Sequence, residues 1–289
     1  MVAMEMAGAT ATPRGLLSAA ARYIDLRDAE ILLSYMLRMN RAELYADQIA
    51  LPTEKIRRYE RLVKERFGSR PLQYILGSVE FMGLDMIVDE GALIPRPETE
   101  LLVKQSVAII NKIRQPAGFA GVRVLDLCTG CGVVAISLTK IISDCKIMSS
   151  DISPEALDLA RRNARVHCVS DRITFLHSDL FERMPAVTYD LIIANPPYIA
   201  SAEIARLQPE LRFEPRQALD GGPDGLAIHR RIIAEAPAHL AANGYVALEI
   251  GHDQAGAIES LFLNRGFDNI EHILDDNNIK RVVTAQWID

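Results

Sequence analysis

From residue 121 to the end of the chain, short apolar runs alternate with stretches of helical spacing, and this alternation restricts the fold more than any other feature. Segments 122–127, 146–150, 173–176 and 189–194 read as strands. Residues 133–142 and 154–166 read as helices, and the second opens on Ser153 as N-cap with Pro154 in the first helical position. Segments 225–240, 245–250 and 254–264 and a final pair near 270–274 and 282–287 continue the series. Strands joined by helices imply an α/β fold with a mostly parallel sheet.

Ligands of open α/β sheets sit beyond the carboxyl ends of the strands, so the residues that end each strand are the candidates for chemistry. The first strand carries Asp126 and runs into a tight turn, Cys128-Thr129-Gly130-Cys131-Gly132, before a helix. Asp151 ends the second strand, where its carboxylate can accept both hydroxyls of a ribose. Asp179 follows the third, suited to an adenine amino group and flanked by apolar Leu180. A helix cap or turn explains any one of these aspartates, but three at successive strand ends fit that explanation less well.

The fourth strand ends in Asn195-Pro196-Pro197-Tyr198. Two prolines forbid its continuation and bias Asn195 to an extended backbone. Neither proline has an N–H, so the turn is rich in acceptors. The Asn195 side-chain oxygen and the Pro196 carbonyl can accept both hydrogens of a planar NH2 group while the Tyr198 ring covers its flat face. Gly130-x-Gly132-x-x-Ala135 with Asp151 downstream also fits a dinucleotide fingerprint. Two features favour S-adenosylmethionine over NAD. Asp126 puts negative charge beside the site, suited to an ammonium or sulfonium and awkward near a pyrophosphate. The Asn-Pro-Pro-Tyr turn stands where an amino-group methyl acceptor would meet the cofactor.

Ahead of this region, residues 16–50 have helix-like spacing, and Pro52-Thr53 with Glu54 starts a second helical stretch. Ile56, Tyr59, Val63 and Phe67 share one face of it, and Gly68 is its stop. Residues 74–77 and 79–84 read as short strands or a hairpin joined to 86–88, and Glu98-Thr99-Glu100 opens a helix running to about residue 113. The expected division is a helical domain over 1–73, a β-hairpin linker over 74–92 and a cofactor-binding domain over 93–289.

Composition narrows the function classes. No apolar run approaches the ~20 residues of a membrane span, and residues 1–13 lack the basic start and sustained apolar core of a signal peptide. A cytoplasmic protein follows, with its first residues as a tail. The four cysteines (Cys128, Cys131, Cys145, Cys168) read as reduced thiols: the C-x-x-C pair has no second pair at zinc spacing. The six histidines show no metal spacing, and no metal is expected. Residues 1–85 hold 12 Lys/Arg against 11 Asp/Glu, which leaves 20 against 27 in the remainder. That acidic balance weighs against a protein that grips a long nucleic acid.

The chain resembles the HemK/PrmC family, the release factor glutamine methyltransferases. The resemblance rests on Ile94-Pro95-Arg96-Pro97-Glu98-Thr99-Glu100, on Asp126 to Gly132 and on Asn195-Pro196-Pro197-Tyr198. It extends through Pro71 to Gly77 and Glu214 to Gly222, and so covers most of the chain from about residue 66. It implies a seven-stranded, Rossmann-like class I methyltransferase sheet with a small helical N-terminal domain. It also implies S-adenosyl-L-methionine as cofactor and N5-methylation of the glutamine in the Gly-Gly-Gln motif of peptide chain release factors. Asn195, Pro196 and Tyr198 are then the catalytic residues, with Pro197 also lining the substrate slot. Asp126, Cys128, Thr129, Gly130, Cys131, Gly132, Asp151, Asp179, Leu180 and Asn195 are the cofactor-binding set. Where the family's loop usually begins with glycine this chain has Cys128, whose Cβ disfavours a strongly positive φ. A monomer is expected, with residues 16–67 either docking the release factor or only stabilising the fold. The competing readings are a DNA or RNA amino-methyltransferase using the same turn, an NAD-linked oxidoreductase, and a non-catalytic translation-associated binding protein.

Overall fold

The computed structural model describes residues 11–46, 49–114 and 121–288, so the first ten residues of the expected tail lie outside it. The chain forms two compact units. The smaller takes the residues up to Gly77 together with Gln208–Phe213; the larger takes Ser78–Leu207 and the chain from Glu214 onward.

The smaller unit is helical: α1 (Pro13–Ala20), α2 (Leu26–Leu37), α3 (Arg41–Ala46), α4 (Thr53–Phe67) and α5 (Leu72–Leu76). Side chains of Thr12 and Asp25 cap α1 and α2 by accepting from Gly15 and Arg27. Leu16, Leu17, Leu32, Leu33, Leu44, Tyr59 and Val63 form its core. The Tyr59 hydroxyl reaches the Ala29 carbonyl at 2.9 Å, which satisfies a polar group inside that core. Phe67, the fourth member of the expected α4 stripe, is 51% exposed and touches Tyr23 edge-on, because it is the last residue before the turn at Gly68. The Arg66 guanidinium holds Asp28 at 2.6 Å and Glu210 at 3.1 Å, tying the Gln208–Phe213 segment into this unit.

Residues 74–77 are not a strand. Pro71 starts α5 and Gly77 ends it at φ +78°, its N–H returning to the Gln73 carbonyl. A five-residue helix is too short to show a helical period in its sequence. The hairpin follows as β1 (Ser78–Phe81) and β2 (Leu84–Ile87) and belongs to the larger unit rather than standing as a linker. The side chain of Asn163 is the reason. Its Oδ1 accepts from Ile87 N at 2.8 Å, and its Nδ2 donates to the carbonyls of Ile87 and Cys131.

The larger unit continues as α6 (Thr99–Arg114), β3 (Arg123–Leu127), α7 (Val133–Ile141), β4 (Lys146–Asp151), α8 (Pro154–Val166), β5 (Ile173–His177) and β6 (Tyr189–Ala194). Then come α9 (Ala227–Glu235), β7 (Leu240–Glu249), α10 (Ala255–Arg265), β8 (Phe267–Leu274) and β9 (Lys280–Trp287). The sheet order is β5-β4-β3-β6-β7-β9-β8, parallel except at β9, which is antiparallel to both neighbours. The central strands are buried on both faces, as parallel strands under helices must be. Leu125, Leu127, Ile192, Ala194, Val246 and Leu248 share a core with Ile232, Ile233, Ile258 and Phe262 of α9 and α10. Phe262 is fully buried against Phe267, with ring centroids 5.1 Å apart. Phe262→Ala should therefore cost about 3–5 kcal/mol of unfolding free energy by denaturant titration; a loss under about 1 kcal/mol would contradict this packing.

Candidate active site

Parallel register brings the strand ends together. Leu127 pairs with Ser150 on one side and Ala194 on the other, and Ala194 pairs with Leu248. One residue further along, the chain leaves these strands at Cys128, Asp151, Asn195 and Glu249. A cavity of about 310 Å³ opens there, at the lower end of the ~300–1,000 Å³ typical of small-molecule sites.

Of the expected residues, Cys128, Thr129, Gly130, Cys131, Asp151, Asp179, Leu180, Asn195 and Pro197 line it. Asp126, Gly132, Pro196 and Tyr198 are not part of the lining. Asp126 is 1% exposed, and its Oδ2 accepts from the hydroxyls of Thr129 at 2.6 Å and Ser149 at 3.3 Å. The carboxylate expected beside the ligand is thus turned into the protein, where it holds the loop from below. Burial pushes its pKa up to about 7, partly offset by those two hydroxyls.

Cys128 adopts φ +56°, the conformation its Cβ was expected to resist. For an L-residue this region costs roughly 1–2 kcal/mol. The cost is imposed by the turn's neighbours: Thr129 N–H bonds the Ser150 carbonyl at 3.0 Å and Gly130 N–H bonds Asp151 Oδ2 at 2.8 Å. The thiol is raised well above its ordinary pKa by burial, with Asp151 and Asp126 adding to the effect.

Asp151 is anchored by backbone donors: Oδ2 by Gly130 and Oδ1 by Ser153 N–H at 2.9 Å. Each oxygen keeps a second lone pair for a ligand. Asp179 is half-buried and pairs with Arg231 at 3.0 Å, a contact between two cavity-lining residues. Arg96, the other cation of the lining, is held by Glu214, whose second oxygen accepts from Ile94 N–H. Both cations are therefore already paired. Among the described residues, the wall offers acceptors to a donor-rich, positively charged ligand and no free cation cluster for a pyrophosphate.

The Asn195 amide is oriented from behind. Its Nδ2 donates to Thr99 Oγ1 at 3.1 Å, and Thr99 Oγ1 donates to Glu249 Oε2 at 2.7 Å. The Tyr198 hydroxyl also points toward this carboxylate, 3.5 Å from Oε1, and Tyr198 is not among the residues lining the cavity. Burial raises the Glu249 pKa from 4.5 to about 7, with the Thr99 bond pulling it back. Below it, buried His229 has its pKa pushed down to about 4 by desolvation. Neutral, it donates Nε2–H to the Glu249 carbonyl at 2.9 Å.

Glu249, Thr99 and Arg231 were not among the residues expected from sequence. Thr99 lies in the 94–100 stretch and Arg231 on α9; neither belongs to a motif with an evident chemical task. The 214–222 stretch, by contrast, carries a visible signal. Ile199 N–H bonds the Leu219 carbonyl at 3.0 Å and Gly221 N–H bonds the Ile199 carbonyl at 2.8 Å. A Cβ on Gly221 would lie 2.8 Å from both the Pro197 carbonyl oxygen and Tyr198 Cα.

The seven-stranded sheet with one reversed strand, and a cavity at the carboxyl ends of its parallel strands, define a class I methyltransferase. Residues 104–222 match the methyltransferase small domain family, and residues 14–77 match the PrmC N-terminal domain family. A methyltransferase from Pyrococcus furiosus shares this fold, with a TM-score of 0.53 at 17% identity over 81% of this chain and 98% of that one. The release factor glutamine methyltransferase of Geobacter sulfurreducens is 40% identical over 89% of this chain and 87% of its own. That of Xylella fastidiosa strain Temecula1 is 37% identical over 95% and 98%. The chain belongs to the release factor glutamine methyltransferase family.

Two outcomes follow from this geometry. Gly221→Ala should displace the Asn195–Tyr198 turn and lower ligand affinity of the cavity, with unfolding showing a loss of about 1–3 kcal/mol; an unchanged melt would mean the contact is not tight. Asp126 and Glu249 both have folded pKa values above their ordinary ones, so the folded state holds extra protons between about pH 4.5 and 7. Stability then falls as pH rises through that window and levels off above it. Glu249→Gln should make the fall shallower in melts across the window; an equal fall in both proteins would contradict the buried-carboxylate origin.

Proposed function

We propose that the protein transfers a methyl group from S-adenosylmethionine to the side-chain amide nitrogen N5 of the glutamine in the Gly-Gly-Gln segment of peptide chain release factors, in the cytoplasm. The observation that carries this reading is the Asn195 amide, whose nitrogen is engaged inside the protein while its residue lines the cavity.

Bound S-adenosylmethionine supplies an electrophilic methyl on a cationic sulfonium. Asp151 accepts from the ribose hydroxyls, its carboxylate held in place by two backbone N–H groups. Asp179 and Leu180 receive the adenine edge, with Arg231 holding the Asp179 carboxylate in position. Asp126 keeps the 128–132 turn in shape through Thr129.

Asn195 Oδ1 and the Pro196 carbonyl accept the two hydrogens of the substrate NH2. An amide nitrogen is a poor nucleophile because its lone pair is delocalised. Two acceptors on its hydrogens orient it and favour the pyramidal form in which the lone pair is available. Pro197 lines the slot, and Tyr198 keeps the turn rigid through its link to Glu249. The methylated nitrogen gives up its proton to solvent.

Purified protein incubated with methyl-labelled S-adenosylmethionine should label a release factor and leave its Gly-Gly-Gln to Gly-Gly-Ala version unlabelled. Equal labelling of both, or label on nucleic acid alone, would overturn the reading. Asn195→Ala should lower turnover by roughly 10²-fold or more while S-adenosylmethionine affinity changes little; unchanged turnover would remove Asn195 from its role.

A further inference from the structure

Glu249 is a carboxylate at 1% exposure with no ion pair among the described residues. Taking such a group out of water costs several kcal/mol, so its retention calls for a reason. Arg281, the cation that acts on it from β9, is committed to Asp275 at 3.0 Å. The hydrogen bonds to its carboxylate come from Thr99 and, at a long 3.5 Å, from Tyr198, and the Asn195 side chain also favours its charged form directly.

The direction of these bonds is dictated by chemistry when Glu249 is ionised. An ionised carboxylate only accepts, so the single Thr99 hydroxyl hydrogen is then drawn to Glu249. Thr99 Oγ1 is then left as an acceptor facing Asn195, and Nδ2 is the Asn195 atom that can satisfy it. The Asn195 oxygen is thereby turned the other way. Without the carboxylate, the hydroxyl hydrogen could equally meet the Asn195 oxygen. The amide could then flip and present NH2 toward the cavity, a donor facing the donors of an incoming amide.

We propose that Glu249 is a positioning residue for Asn195: together with Thr99, it draws the amide nitrogen inward, fixes Oδ1 toward the cavity and makes the site an acceptor for an NH2-bearing side chain. This rests on the glutamine-methylation reading and assigns Thr99, within the otherwise unassigned 94–100 stretch, its task. Selectivity for a primary amide over a carboxylate or hydroxyl follows, because the acceptor pair would face lone pairs in those substrates.

The test compares Glu249→Gln, Thr99→Val and Thr99→Ser, each checked for folding by its thermal melt. Two readouts are taken: steady-state methylation of a release factor with S-adenosylmethionine affinity measured separately, and the side-chain amide NMR signal of Asn195, identified by its absence in Asn195→Ala. Glu249→Gln and Thr99→Val should lose roughly 10- to 100-fold in kcat with S-adenosylmethionine affinity little changed, and the Asn195 amide signal should shift and lose protection from exchange. Thr99→Ser, which keeps the hydroxyl, should restore both readouts. Wild-type turnover in Thr99→Val, a Thr99→Ser variant as impaired as Thr99→Val, or an Asn195 signal unmoved by Glu249→Gln would overturn the proposal. A wild-type protein that methylates no release factor, yet whose Asn195 signal responds as stated, would instead count against the substrate and leave the positioning role supported.

Discussion

The register of four parallel strands governs the site. Because Leu127 stands opposite both Ser150 and Ala194, and Ala194 opposite Leu248, four chains leave the sheet at one level. A slip of one residue in any strand would exchange the faces of all its side chains. It would move Asp151, Asn195 or Glu249 out of line with the others. The register is in turn secured by burial on both faces: Leu125, Ile192 and Val246 lie in one core with α9 and α10, so a slipped strand would expose apolar surface along its whole length.

Two buried carboxylates then shape the loops that leave this sheet. Asp126 binds the Thr129 hydroxyl and sets the turn after β3, while Glu249 binds Thr99 and, through it, the Asn195 side chain after β6. Among the described residues neither forms an ion pair, and both are driven toward neutrality by burial. Each is tolerable because its hydrogen bonds satisfy part of its accepting capacity. The positive φ of Cys128 fits the same pattern: local strain is retained where fixed hydrogen bonds on both sides over-determine the backbone.

What was legible in the sequence divides along physical lines. Strands buried on both faces read as apolar runs, and the Ser153-Pro154 cap works within one turn, so both were visible from local residues alone. The acidic strand ends and the Asn-Pro-Pro-Tyr turn were visible too, because proline and glycine leave few backbone alternatives. Other features depend on partners distant in the chain. Glu249 follows an apolar strand and looks like an ordinary polar terminus; its burial requires β9 on one side and Thr99, 150 positions earlier, on the other. Cys128 was expected to avoid a conformation that only the neighbouring strand's Ser150 and Asp151 impose. Asp126 was read correctly as a strand-end acid, but pattern alone does not say which way a side chain turns. The five residues of α5 are too few for a period of 3.6 to separate them from a strand.

The charge arrangement separates this cavity from others that the same fold supports. A glycine turn beyond the first strand suits many nucleotide ligands, and taken alone it does not choose among them. Here Arg96 and Arg231 line the wall but are held by Glu214 and Asp179, so they stiffen it without offering free positive charge. What remains open is a set of oxygen acceptors: Asp151 on one side and the Asn195 turn, which has no proline N–H to offer, on the other. A polyanionic ligand would meet repulsion from this set, whereas a cationic cofactor and a neutral amide donor would each find complementary partners. Selectivity for such a pair comes as much from what the wall withholds as from what it presents.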